Sequence, residues 1–535
     1  MQIDRKLTNE SLDLKGSIYK RITNPFYLIA VALTAIGTYG FYLANPSPSI
    51  DWLSYDSYYN GLLFGQGRFT ATIVEKVLGL WNCPVWFEPI LGLVCFILGT
   101  LIMLAVFDGF TDYKSIVPSI VFTCIYITFP LLPEYFIYNG AILTVGGSTL
   151  LLSLTIYLEI KYKDLLRSML IPTILMIAVF SWYECMILPY VGAVFAVFIL
   201  EDRRKNGIKS GELILKGIYN AVVAALGFIL ELAITKALIK IFSIKINTNA
   251  QIQSYWTASL SAFQKLIRSY IAYWGLKVFC NTGFTVLFIA VIVWLILFII
   301  NIRKTKKFSS VILFLGLLIP IFAMTLFRCG GAEYRTEQGM PFFVAFIAYL
   351  VSLNVQSGKR LVKRLSAAVF VFALIIQIGA SNKCYWVNNQ RFEEEKNVIL
   401  TVHSRISEAY DINKPVVFIG GYEMSDHLIS EISVSNSSPL GRLINRLATG
   451  DSARKAKLRY DYIGRSYLDW GIRNPLDKDN PESELYKFCD YIGVSFEHCT
   501  KEQYDEAKRN YSEIGVYPSK DCIVETDEYI VVKLK

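Results

Sequence analysis

Two acids five residues apart, Asp51 and Asp56, stand in the stretch ANPSPSIDWLSYDSYYNGLLFGQGRFTATIVEKVLGLWNCPVWFE at 44–88. Aromatics surround them, a Gly-x-Gly-Arg turn follows at Gly65, Gly67 and Arg68, and a short amphipathic run leads from Phe69 to Trp81. An acid beside stacking aromatics and a cation, held at a membrane surface, suits sugar and lipid-phosphate chemistry. An ordinary hydrated loop can have the same composition. Three further tips carry charge: PEYFIYNG at 133–140 with Glu134 and Tyr138, SWYE at 181–184 with Glu184, and FRCGGAEYRTEQG at 327–339 with Arg328, Glu333, Arg335 and Glu337. Glu134 and Glu184 each cap an otherwise uncharged helical hairpin. An ionisable group that close to a membrane core is a functional candidate by default, and the alternative is a headgroup-level acid facing water.

Composition supplies the setting. Of 535 residues, 54% are hydrophobic and only 18% charged, where a soluble domain would be about a quarter charged. The apolar residues fall into about eleven blocks, each of roughly 17–25 residues or a little outside that range, the length that crosses a bilayer. They lie near 25–44, 86–107, 116–133, 140–160, 169–182, 185–200, 213–241, 281–302, 309–327, 338–355 and 365–381. The expected fold class is therefore a polytopic α-helical membrane protein. The formal charge of +9 belongs to short loops between spans and is no nucleic-acid signature. A polar tail, 1–24, precedes the first span and no cleavage-site pattern follows it, so that span reads as an anchor.

Charge then orients the chain. Basic residues gather in the tail (Arg5, Lys6, Lys15, Lys20, Arg21) and in alternate loops, at Lys161 to Arg167, Arg203 to Lys209, Arg303 to Lys307 and Lys359 to Arg364. The turns at 134–139 and 181–185 have neither Lys nor Arg. Excess Lys and Arg mark the cytoplasmic side, which predicts a cytoplasmic N-terminus and an outer face that collects loops 45–85 and 242–280. The second of these carries Trp256, Leu260, Phe263, Ile267 and Ile271 at helical spacing, the pattern of an interfacial helix. The organisation expected is the tail 1–24, a membrane region 25–381 and an extracytoplasmic α/β region 382–535. In the last, a charged helix near 388–410 precedes a strand at 414–421, another helix lies near 439–448, and the ending DCIVETDEYIVVKLK reads as a strand pair. The ten cysteines form no CxxC pair and the three histidines all lie in the last quarter, which argues against a His/Cys metal site. Cys489, Cys499 and Cys522 would give one disulfide or buried thiols.

Three stretches together resemble a known family. They are Tyr55-Asp56 with Gly67-Arg68-Phe69, the segment NKCYWVNNQRFEEEKNVILTVHSRI running into KPVVFIGG, and the ending VYPSKDCIVETDEYIVVKLK. The family is the bacterial type II glucosyl transferases, multi-span GT-C-like enzymes of O-antigen modification and serotype conversion. One departure is that the family's loop often has two adjacent acids, whereas Tyr55 takes the first of those places here. The resemblance implies a bacterial inner-membrane transferase, a glucose donor carried on polyprenyl phosphate and a surface polysaccharide or lipid-linked glycan as acceptor. It also implies a flippase and a donor synthase as partners, besides membrane lipid.

Inverting transfer from a lipid phosphate needs a carboxylate base for the acceptor hydroxyl and cations or donors for the departing phosphate. With a single phosphate, a divalent metal is helpful but not obligatory. Asp56 is the expected base, against a loop acid, a helix cap, or Asp51 in that role. Arg335 is the first candidate for the phosphate, against an ion pair with Glu333 or Glu337. Arg68 comes next, against a turn residue that bonds local carbonyls, and Arg328 flanks the same glycine turn as Arg335. Lys265 and Arg268 would meet lipid headgroups in general. Glu134 and Tyr138 suit sugar hydroxyls. Trp52, Tyr58, Trp256 and Trp274 are platforms for a sugar or simply part of the aromatic belt. A flippase of lipid-linked glycans is the rival class; its usual repeat symmetry and broken midplane helices are not evident in the sequence.

Overall fold

The structure, a computed structural model, describes residues 13–53, 66–111, 115–138, 141–162, 165–205, 208–243, 264, 267, 286–305, 307–327, 334–356, 358–422, 424–425, 427–428, 466–472 and 482–534. Apolar helices dominate the first two thirds. Among the described residues, six are long and apolar enough to cross a membrane: Pro25–Ala44, Phe87–Asp108, Ile142–Lys161, Glu184–Arg204, Ser210–Ile241 and Arg360–Ala409. The pair Phe308–Gly316 and Ile319–Phe327, bent by 52°, makes a seventh if it counts as one span. The eleven segments read from the sequence therefore do not all appear as full-length spans. The segment 116–133 stops as a helix at Thr128 and resumes as the short tip helix Leu132–Ile137. Its first part has 12 residues, about 18 Å at 1.5 Å per residue, short of the roughly 30 Å hydrocarbon core.

Helix packing in lipid gains little from hydrophobicity, so small residues that let backbones approach carry the contact. The closest large interface joins Phe87–Asp108 to Ala141–Lys161. A side chain at Gly146 would put its Cβ 1.9 Å from the Gly92 carbonyl oxygen, so only glycine permits this crossing. At the ends bearing the basic loops, charges are paired. Arg21 is buried and forks onto Asp108 at 2.9 Å through both terminal nitrogens, with Ser119 also bonded. Lys216 and Lys205 share Glu201 and Glu212.

Arg360–Ala409 is one helix of 50 residues. The sequence suggests a span ending at 381 and a separate helix starting near 388; the structure joins them because no proline breaks the intervening SNKCYWVN. Its polar end enters a second hydrophobic core with the strands β1 (Val416–Ile419), β2 (Ile523–Glu525) and β3 (Ile530–Lys533). The sheet order is β1-β3-β2, with β1 parallel and β2 antiparallel to β3. Helices Ser483–Tyr491 and Lys501–Asn510 accompany the sheet. Cys489, Cys499 and Cys522 are free, buried thiols. The interfacial helix expected in 242–280 and the helix near 439–448 lie outside the described residues, apart from Gln264 and Ile267, both helical and exposed.

A buried carboxyl ties this second core together. Glu482 accepts the Phe418 backbone N–H at 2.8 Å and lies 3.0 Å from the Tyr486 hydroxyl. That hydroxyl also faces the Val416 carbonyl at 2.7 Å and accepts the Cys499 N–H at 3.0 Å. The Tyr486 proton is divided between Val416 and Glu482, and the Cys499 thiol adds only a weak donor at 3.5 Å, so the buried carboxylate is poorly served. Burial accordingly pushes the Glu482 carboxyl from 4.5 up to about 8. Folded chains then hold a proton that unfolded chains release between those values, so stability is complete below about 4.5 and falls as pH rises toward 8. We expect the unfolding free energy to drop by up to roughly 1.4 kcal/mol per pH unit in this window. Glu482→Gln should flatten that slope, as followed by thermal unfolding of the purified protein; an unchanged slope would refute the assignment.

Candidate active site

The loop at 44–88 is held at both described ends. Near its start, the Asn388 amide donates to the Ser47 hydroxyl at 2.8 Å, the Tyr467 hydroxyl donates to the Pro48 carbonyl, and Ile50 is buried in the second core. Arg391 and Glu395, one and two turns further along the same helix face, are buried beneath it. At its far end, Gly67 has φ +83°, a conformation that favours glycine. A Cβ there would stand 2.8 Å from the Glu231 carboxyl and 3.3 Å from the Thr235 hydroxyl. Helix Phe69–Leu78 follows, and its first turn is bound to the 181–184 tip through Thr70 and Ser181 at 2.5 Å.

This fastening seats one guanidinium on Tyr183 and links it through Tyr135 to a second on Tyr138. Arg68 lies over the Tyr183 ring, 5.3 Å from its centroid. The Tyr183 and Tyr135 hydroxyls are 3.2 Å apart, and Tyr135 donates to the backbone carbonyl of Arg335. Gln338 donates 2.8 Å bonds to both the Tyr135 oxygen and that carbonyl. The Arg335 side chain in turn lies 4.6 Å over the Tyr138 ring. Both guanidiniums act electrostatically on Tyr183. Cation–π contacts at half-buried guanidiniums such as these are worth about 0.5–2 kcal/mol. Glu134 is buried beside Tyr135, and Glu184 has Arg68 and Glu231 as charged neighbours. Glu337 accepts from Thr325.

Arg68, Glu134, Tyr138, Glu184 and Arg335, from four separate stretches of sequence, therefore meet in one cluster. Asp56, Arg328 and Glu333 lie outside the described residues, as do Tyr58, Trp256, Lys265, Arg268 and Trp274. Asp51 falls in the short helix Ile50–Leu53. Trp52 packs edge-on against Tyr491 at 6.0 Å. Tyr183, Gln338 and Glu231 are members of the cluster that pattern reading passed over. Glu231 did leave a signal: it is the one acid in the apolar run 213–241, and an ionisable group inside a span is expected to have a function. Tyr183 and Gln338 left none, because nothing separates them from belt and turn residues until the tips meet.

Chemically, the cluster presents fixed cations for an anionic group and carboxyls for hydroxyls. Among the described residues, no group of three or more His, Cys, Asp or Glu side chains gathers in a way that could hold a metal ion. The family model Glucosyl transferase GtrII fits residues 40–352, a segment that includes every member of the cluster. Neither the curated proteins nor the solved structures provide a match to the chain.

The shared Tyr135 hydroxyl should matter more than its ring. Tyr135→Phe removes one of the two donors to the Arg335 carbonyl and leaves Gln338 as the other, a loss of about 0.5–1.5 kcal/mol. We expect glucosyl transfer by this variant to fall by roughly tenfold or more in kcat/KM, with thermal stability changed far less. Wild-type kinetics in Tyr135→Phe would show that the bridge does not position Arg335.

Proposed function

The chain belongs to the glucosyl transferase GtrII family, and from that premise we propose that it moves a hexose, glucose by family, from a polyprenyl-phosphate donor to a surface polysaccharide or lipid-linked glycan. The observation that carries this reading is that Arg68 over Tyr183 and Arg335 over Tyr138 are joined through the Tyr135 hydroxyl beside the acids Glu134 and Glu184.

In this mechanism the donor phosphate lies against Arg335 and Arg68, where fixed positive charge stabilises it as a leaving group. The acceptor hydroxyl approaches from the opposite face and Asp56 accepts its proton as general base. The new bond forms between the acceptor oxygen and the anomeric carbon while the bond from that carbon to the phosphate oxygen breaks. Its electron pair leaves with the lipid phosphate, the proton ends on Asp56, and configuration inverts. No general acid is needed, because the leaving phosphate is already a stable anion. A divalent cation would add charge neutralisation at the phosphate.

Membrane topology follows from the same premise. The basic loops face the cytoplasm of a bacterial inner membrane, and about eleven apolar segments carry the chain across or into the bilayer. The cluster and the region after Ala380 then face outward, where that region shapes the acceptor side. Such a donor must be made on the inner leaflet and turned over, so a donor synthase and a flippase are the partners expected.

The test is an assay of purified protein with a defined polyprenyl-phosphate glucose, scored for released lipid phosphate. Asp56→Asn should lose about 10²–10⁴-fold in turnover, the range of a general base, while still binding donor. Arg335→Ala should chiefly raise the donor KM. Full turnover by Asp56→Asn would eliminate it as the base, and no transfer by the wild type to any glycan acceptor would eliminate the reading.

A further inference from the structure

Glu231 stands apart from the other acids of the cluster. It is 1% exposed, about two thirds of the way along the apolar helix Ser210–Ile241, and one of its carboxyl oxygens accepts from Thr235 at 2.7 Å. The other oxygen, Oε2, is buried with no hydrogen-bond partner. Such an unmet acceptor is costly, and more so when charged. It is far from the charged network at the other end of its helix: Lys216 lies fifteen residues earlier, about 22 Å along the axis. In the opposite direction it lies directly under the Gly67–Arg68 turn and electrostatically beside Glu184. The adjoining tip holds a complementary unmet group, since the Trp182 indole N–H is buried and also has no partner.

A carboxylate accepts hydrogen bonds and repels phosphate, so Glu231 itself suits a donor's hydroxyls rather than its anionic part. Arg335, over the Tyr138 ring, has the opposite preference. We propose that Glu231 is a substrate-binding residue whose free carboxyl oxygen accepts a hydrogen bond from a ring hydroxyl of the transferred hexose. This rests on the glucosyl-transfer reading and adds to it the side of the cluster that recognises the sugar. The need for glycine at position 67 follows from the same arrangement, because a side chain there would meet the carboxyl.

The experiment is a cycle between enzyme variants and donors. Wild type, Glu231→Gln and Glu231→Ala are compared on polyprenyl-phosphate glucose and on its 2-, 3-, 4- and 6-deoxy analogues. In the wild type, removing one particular hydroxyl should lower kcat/KM by roughly 10–100-fold, because it leaves the buried carboxyl unpaired. In Glu231→Ala the same deletion should cost less than about threefold, while deletions elsewhere keep their wild-type cost. Glu231→Gln keeps the volume and carries the test if the alanine variant does not fold; it should reduce the penalty at that one position by at least threefold. A uniform loss over all donors in both variants would make Glu231 a support for the Gly67 turn only, and overturn the proposal. A wild type that transfers no hexose would instead overturn the functional reading beneath it.

Discussion

Two positively charged side chains have to be held close together at the edge of a low-dielectric bundle, and aromatic rings hold them. Arg68 rests on Tyr183 and Arg335 on Tyr138, while Tyr135 joins the two halves through its hydroxyl. Like charges repel, so without such contacts two arginines on separate loops would drift apart into water. The faces of the rings offer each guanidinium a fixed seat.

Such a cluster depends on loops that cannot wander. The 181–184 tip is fixed by helices entering and leaving it, and Thr70 binds the following loop to Ser181. The tip helix Leu132–Ile137 stands between two parts of the molecule. Tyr135 faces Arg335, and Phe136 packs against Tyr39 at 4.2 Å and Tyr385 at 6.3 Å. Tyr385 belongs to the long helix that continues to the strands, so the second core is mechanically connected to the cluster through one short turn of helix. The Gly92–Gly146 contact beneath keeps the supporting helices at close range.

The same 50-residue helix clamps the start of the acidic loop through Asn388 and Ser47. Its buried Arg391 and Glu395 lie 3.9 Å apart, and Glu395 also accepts the Tyr467 backbone N–H at 2.9 Å. A buried ion pair is weak evidence for stability, since removing two charges from water offsets most of their attraction. Its effect here is geometric: it sets where Tyr467, and through it Pro48, must lie. The loop carrying Asp51 and Asp56 thus leaves from one fixed point and returns to another at Gly67.

Much of this could be read from the chain alone. Apolar blocks marked the helical membrane class, short apolar runs marked the three strands, and the charged tips at Arg68, Glu134, Glu184 and Arg335 were visible because charge is rare in so apolar a sequence. Those signals are local, depending on periodicity and composition within a few turns. The break after Thr128, the unbroken run from Arg360 to Ala409 and the 52° bend near Leu317 were not visible, because packing partners decide whether an apolar segment stays one helix. Nor did anything in sequence distance indicate that Tyr135 meets Arg335, 200 positions away, or that Glu231 lies beneath Gly67. Which residue types were present for chemistry was determined by sequence. Which of them share a site was decided by tertiary structure, because contacts between distant segments depend on how close the intervening helices can pack.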